Sequence, residues 1–253
     1  TRTHFAFPMP QEKTFIHATL DPGDLNKDME VEHALVGDAR LTLRALITAI
    51  RDRLAGKPRG RYQSVTSRIG SVKRQWLDQW APKLNSDEAP ITPYRVIRDL
   101  MNTVDSVNTI ITHDAGSPRD QLVPFWESVT PLSYLGWGKT TQLGYGLGLA
   151  MGAKLAYPDK LCINVWGDAA IGFTGMDFET AVRERIPILS ILFNNFSMAI
   201  ELPIMEVSTE KYRSTDISGN YAEMARSFGG YGERVETPDQ IVPALKRGIK
   251  TTR

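Results

Sequence analysis

The chain is expected to fold as an α/β protein in three layers, with a parallel sheet covered on both faces by helices. Three observations point there. From Thr92 onward, helical and strand-like stretches alternate. Two apolar runs, 161–166 and 186–193, flank a helical stretch over 175–184. At 253 residues and 42% hydrophobic content, the chain can bury one large core and part of another. A strand, crossover helix, strand unit is right-handed with parallel strands, so it delivers the residues after each strand to one carboxyl edge of the sheet.

The elements run in order along the chain. Residues 1–55 read as a strand over 14–20, an Asp21-Pro22-Gly23-Asp24 turn and a helix over 41–54 with apolar residues at helical spacing. Residues 56–90 are basic, polar and proline-bearing, which is linker composition, broken by a short helical stretch at Trp76-Leu77-Asp78-Gln79-Trp80. Trp76 and Trp80 stand one helical turn apart and read as packing against a domain. Residues 91–253 form the main domain: a helix over 93–104, a strand over 109–112, a helix over 144–156, the two apolar strands and a closing helix over 238–249. The chain opens at Thr1 without methionine and stops just after that last helix, so it is read as part of a longer polypeptide, truncated at its carboxyl end.

Lysine plus arginine nearly balance aspartate plus glutamate, leaving a formal charge of +1, so the balance gives no argument for nucleic acid or an anionic membrane as partner. No run reaches the ~18 apolar residues of a membrane span. The single cysteine, Cys162, lies in an apolar run, reads as a small buried hydrophobe, and fits a reducing, cytoplasmic setting. Gly136-Trp137-Gly138-Lys139-Thr140-Thr141 imitates a triphosphate-binding loop, but the position of its first glycine holds Ser133. Gly144, Gly146, Gly148 and Gly152 imitate a dinucleotide fingerprint without a strand immediately before them. Close helix packing is the better reading.

The chemistry sits at the ends of the two apolar strands, at Gly167-Asp168 and Asn194-Asn195. A carboxylate and an amide at one sheet edge suit a hard cation such as Mg2+, which takes few protein ligands and completes its octahedron with diphosphate oxygens and water. The pair therefore reads as a metal–diphosphate anchor. The strand over 109–112 runs into His113-Asp114-Ala115-Gly116-Ser117, a small-residue loop whose amides can approach a phosphate. His113 can face a substrate or stabilise the turn. Glu201, a charge in a mostly apolar run, can act as acid or base or can face solvent.

Gly167-Asp168-Ala169 with Asn194-Asn195 after it resembles the signature of thiamine diphosphate enzymes, and the surrounding chain is similar to the acetolactate synthase, oxalyl-CoA decarboxylase and 2-hydroxyacyl-CoA lyase group. The resemblance implies that residues 1–55 are the tail of a Rossmann-like middle domain, and that residues 91–253, after the 56–90 linker, are the domain holding thiamine diphosphate and Mg2+. In that group's manner, Asp168, Asn195 and the Ser197 carbonyl would hold the metal. Gly116, Ser117, Gly167, Ala169, Ala170 and Met198 would border the cofactor, the backbone of Thr141 and Leu143 would meet its aminopyrimidine, and the Leu143 side chain would wedge it into a bent form. Glu201 and His113 are the catalytic candidates. Gly172-Phe173-Thr174-Gly175-Met176 resembles the lyases and decarboxylases, whereas Ala199-Ile200 departs from the acetolactate synthases. The resemblance thus implies a carbon–carbon lyase acting on a 2-hydroxyacyl-CoA, or a decarboxylase of a 2-oxoacyl-CoA. The alternatives are a carboligase acting on pyruvate and a noncatalytic fragment that keeps the fold. It further implies a homodimer or homotetramer, with the activating glutamate in a pyrimidine-binding portion that this sequence lacks.

Overall fold

The computed structural model describes residues 12–27, 29–136 and 142–252, in two compact units, Thr1–Arg74 and Gln75–Arg253. In the first unit, β1 (Ile16–Thr19) and β2 (His33–Val36) pair in parallel, with Ile16 opposite His33. The turn between them starts at Asp21, whose carboxylate accepts from Gly23 N–H at 2.8 Å. Helix α1 (Ala39–Arg53) begins where Asp38 accepts from Leu41 N–H at 3.0 Å, satisfying one of the donors a helix start leaves without an intrahelical partner.

Linker composition over 56–90 gives way to a long helix, α2 (Tyr62–Leu84). The reason is tertiary. Within the second unit, Trp76, Leu77, Trp80 and Leu84 pack against the core, Trp76 stacking on Phe125 at 4.8 Å and Trp80 lying 4.7 Å from Tyr94. Packing of this kind stabilises a helix whose composition alone would not hold it.

The second unit carries a four-stranded parallel sheet in the order β4-β3-β5-β6: β3 (Thr109–His113), β4 (Tyr134–Leu135), β5 (Leu161–Gly167) and β6 (Leu189–Phe193). Strand β6 starts three residues later than the apolar run. Residue Ile186 instead donates to Ala181 O at 2.8 Å and closes the preceding helix, with Arg185 at φ +53° making the turn. The helices are α3 (Pro93–Thr103), α4 (Ser117–Leu122), α5 (Tyr145–Ala156), α6 (Asp168–Thr174), α7 (Asp177–Arg183), α8 (Glu206–Tyr212), α9 (Tyr221–Ser227) and α10 (Pro238–Thr251).

Side chains of a strand alternate between faces. Ile111, Ile163 and Val165 accordingly join Ile97 and Leu100 of α3 and Ile241 and Leu245 of α10 in one core cluster. On the other face Ile110 and Cys162 pack with Ala153 of α5, while Trp166 packs with Leu147 of α5 and Ala170 of α6. Helices therefore cover both faces, giving the expected three-layer α/β fold with a parallel sheet. Cys162 is fully buried. No described helix is long and apolar enough to cross a membrane.

Candidate cofactor and metal site

Strands β5 and β6 run side by side with Gly167 opposite Phe193, so Asp168 and Asn194-Asn195 leave the sheet at the same edge. Asp168 is the first residue of α6 and only 3% exposed. One of its oxygens accepts from Ala169 N–H at 2.9 Å and the other from Asn195 N–H at 3.2 Å. Each carboxylate oxygen keeps lone-pair capacity beyond these bonds. Asn195 Oδ1 accepts from Ser197 N–H at 3.1 Å and curls the loop after β6 back on itself. This loop is fixed from the other side by a segment that has no signal in the sequence: Met198 N–H donates to Thr215 O at 2.8 Å, Ile217 N–H donates to Phe196 O at 3.0 Å, and Ser197 bridges Asp216.

The diphosphate-loop candidates lie at the end of β3. Gly116 caps α4 at φ +89°, ψ −161°, a conformation essentially reserved for glycine, and Ser117 opens the helix. The loop meets the β5–β6 edge directly: a Cβ placed on Gly167 would lie 3.5 Å from Pro118 Cγ, an ordinary contact. Protein packing therefore does not require glycine at 167, whose extended backbone any residue adopts.

Ala170 is buried against Leu147 and Trp166, and half-buried Leu143 packs on the same cluster. Thr141, like the whole of 137–141, lies outside the described residues. Met198 and Glu201 are half-buried in the loop after Asn195, and Glu201 N–H donates to Met198 O at 3.0 Å. A cavity of about 300 Å3 opens beside Asp168, lined among others by Ile171, Phe173, Met176, Tyr221 and Met224. Sequence reasoning missed Tyr221. Burial, and secondarily the nearby Asp168 carboxylate, raise its phenol pKa.

Among the glycines of α5, close packing explains only part of the run. A Cβ on Gly144 would fall 2.7 Å from Thr174 Cγ2 and one on Gly146 2.7 Å from Asn164 Oδ1, but Gly148 and Gly152 have nothing within 4 Å. The packing explanation is thus corrected for those two.

His113 is 2% exposed between the rings of Tyr134 and Tyr145, with Nδ1 3.0 Å from Asp114 O and 3.4 Å from the Tyr145 hydroxyl. Burial lowers its pKa, outweighing the bond to the carbonyl, which raises it. The folded state therefore resists a proton that the unfolded chain accepts near pH 6.5. The His113 contribution to stability is complete above that pH and is lost as pH falls toward the depressed folded value, by at most about 1.4 kcal/mol per pH unit. Urea unfolding of the wild type is expected to lose more stability between pH 7.5 and 5.5 than that of His113→Gln. Parallel losses in the two proteins would refute the assignment.

The donors gathered at the β5–β6 edge, a carboxylate, an amide oxygen and backbone carbonyls, are all hard oxygens. They fit Mg2+ bridging to a diphosphate. Among the described residues, no group of three or more His, Cys, Asp or Glu side chains could hold a metal. A cation at this edge would therefore rely on the Asp168 carboxylate, on uncharged oxygens such as that of the Asn195 side chain, and on oxygens of its ligand.

Comparison with known proteins agrees with this geometry. The chain is 27% identical over 246 residues to a probable acetolactate synthase large subunit of Methanococcus aeolicus, covering 92% of this chain and 40% of the relative. It is 31% identical over 227 residues to an acetolactate synthase large subunit of Mycobacterium tuberculosis, covering 87% and 39%. To a 2-hydroxyacyl-CoA lyase of Arabidopsis thaliana it is 26% identical over 263 residues, covering 96% and 44%. The chain thus spans about 40% of the length of such curated relatives. Residues 114–253, more than half of the chain, match the family described as thiamine pyrophosphate enzyme, C-terminal TPP binding domain. That span includes the Asp168 and Asn195 edge that the fold assembles, and the chain belongs to the thiamine pyrophosphate enzymes.

Proposed function

We propose that this chain anchors thiamine diphosphate through Mg2+ as the carboxyl-terminal part of a carbon–carbon lyase that cleaves a 2-hydroxyacyl-CoA or decarboxylates a 2-oxoacyl-CoA. The observation that carries the reading is the hydrogen bond from Asn195 N–H to the buried Asp168 carboxylate, which joins two oxygen donors across adjacent strands. Asp168, the Asn195 side-chain oxygen and the Ser197 carbonyl would hold the cation. The backbone at Gly116, Ser117 and 167–170 would receive the diphosphate, Thr141 and Leu143 the aminopyrimidine, and Met198 would border the ring. When bound, the cofactor supplies a nucleophilic carbon and an electron sink for the pair released by the broken carbon–carbon bond. Glu201, half-buried in the loop after Asn195, would move a proton at the reacting carbon. The pyrimidine-binding portion and its activating glutamate would come from the remaining length or from a partner subunit, in a homodimer or homotetramer.

The segment Gly172-Phe173-Thr174-Gly175-Met176 favours the lyase. A second reading, condensation of pyruvate to acetolactate, is favoured by the names of the curated relatives. A noncatalytic role is the third. Assays of the full-length protein with Mg2+ and thiamine diphosphate separate them: the lyase reading expects release of an acyl-CoA fragment from a 2-hydroxyacyl-CoA and at least ~10-fold slower pyruvate condensation. The reverse ratio assigns the synthase, and silence with both substrates assigns the noncatalytic role.

A further inference from the structure

Asp114 is completely buried and is not among the residues proposed to hold the metal or the diphosphate. Its carboxylate accepts three backbone N–H donors: Ala115 at 2.9 Å and Gly144 at 2.8 Å on one oxygen, and Gly146 at 3.0 Å on the other. Burial raises its pKa while the three donors lower it. An acceptor matched by three N–H groups and standing at the start of α5 is the arrangement that stabilises a carboxylate without a cation.

The bonds join segments far apart in the chain. Asp114 lies two residues before Gly116 of the diphosphate loop, and Gly144 comes directly after Leu143. The same Gly144 is gripped from the other side, because the Thr174 hydroxyl donates to its carbonyl at 2.7 Å. Thr174 is the last residue of α6, the helix that Asp168 begins. One glycine, in the left-handed conformation at φ +94°, is thus held between the diphosphate loop and the metal helix. Thr174 and Phe173 leave no space for a side chain there.

We propose that Asp114 is a positioning residue: through Gly144, and with Thr174 closing the link, it fixes Leu143 relative to the diphosphate loop and to Asp168. The effect falls on the aminopyrimidine end of the cofactor rather than on its diphosphate. The proposal rests on the reading of this edge as a thiamine diphosphate site. Replacing the carboxylate by an amide leaves one acceptor oxygen and sets an NH2 group against at least one backbone N–H, so the Leu143–Gly144 turn is released while the volume is kept.

The test uses the full-length protein, containing both cofactor-binding portions, with two probes, thiamine diphosphate and inorganic pyrophosphate, each with Mg2+, titrated by 31P NMR, and with amide hydrogen exchange over 142–147. In Asp114→Asn, exchange over that segment is expected to rise, affinity for thiamine diphosphate to fall at least ~10-fold, and affinity for pyrophosphate to stay within about two-fold. Thr174→Val removes the link from the other side without touching the carboxylate, and is expected to show the same split even if Asp114→Asn does not fold. Equal losses for both probes in Thr174→Val, or unchanged exchange and affinity, overturn the positioning role. Failure of the wild type to bind either probe overturns the cofactor reading and this inference with it. Wild-type binding of both without a split in the variants overturns this inference alone.

Discussion

Asp168→Ala is expected to abolish Mg2+-dependent binding of thiamine diphosphate, weakening it by about 100-fold or more. Loss of a residue that merely orients a metal ligand costs roughly 10–100-fold in affinity, and in the proposed reading Asp168 is the ligand itself. Among the described residues, no group of three or more His, Cys, Asp or Glu side chains offers another metal site. Loss of Asp168 also leaves the Asn195 N–H without the acceptor that draws the loop after β6 to the metal edge. Calorimetric titration of the protein containing both cofactor-binding portions, with Mg2+ and then with EDTA, makes the comparison. Unchanged affinity in the variant, or binding that EDTA leaves intact in the wild type, would remove Asp168 from the metal.

Much of this edge is legible in the sequence because its signals are local. The apolar runs before Gly167 and Asn194 become β5, buried along most of its length, and β6, partly buried beside it, and the sequence step from strand to Asp168 or Asn195 is short enough that the fold leaves little freedom in where those residues emerge. The helices α3, α5 and α10 are equally plain, since capping residues or helical spacing mark them: Thr92 caps α3 and a Thr237–Gln240 capping box opens α10. The features that stay hidden depend on residues distant in sequence. The polar stretch of α2 is helical because Trp76 and Trp80 find Phe125, and β4 is two residues paired to β3, too short for any period to show. The pairing of 196–198 with 215–217 and the approach of Tyr221 to Asp168 have no local signature at all. In the sequence Asp114 is only one member of the small-residue loop after the 109–112 strand. Its role appears only when β3 and the start of α5 are brought together.

Gly146→Ala is expected to destabilise the second unit by about 3 kcal/mol, at the upper end of what overpacking a tight core costs. A Cβ at 146 would stand 2.7 Å from Asn164 Oδ1, 2.8 Å from the His113 carbonyl and 3.0 Å from Asp114 Oδ2. None of these can step aside cheaply. The His113 carbonyl belongs to a central strand. Asn164 is fully buried in β5 and accepts from the Thr112 hydroxyl at 3.2 Å, while that hydroxyl also reaches the Gly146 carbonyl at 2.9 Å. Moving α5 away to admit the methyl group would break this bond and the one from Gly146 N–H to Asp114, leaving buried polar groups unpaired at about 1–3 kcal/mol each. The backbone conformation of Gly146 is helical, so strain in φ plays no part and the effect is one of space and hydrogen bonding alone. In a unit of this size the loss corresponds to a melting temperature lower by roughly 6–12 °C. Gly148→Ala is the control, because its Cβ would point into open space and alanine is the better helix former. Calorimetry that finds Gly146→Ala as stable as Gly148→Ala would mean that α5 does not lie against β3 and β5 as described, and the placement of Leu143 beside the metal edge would fall with it.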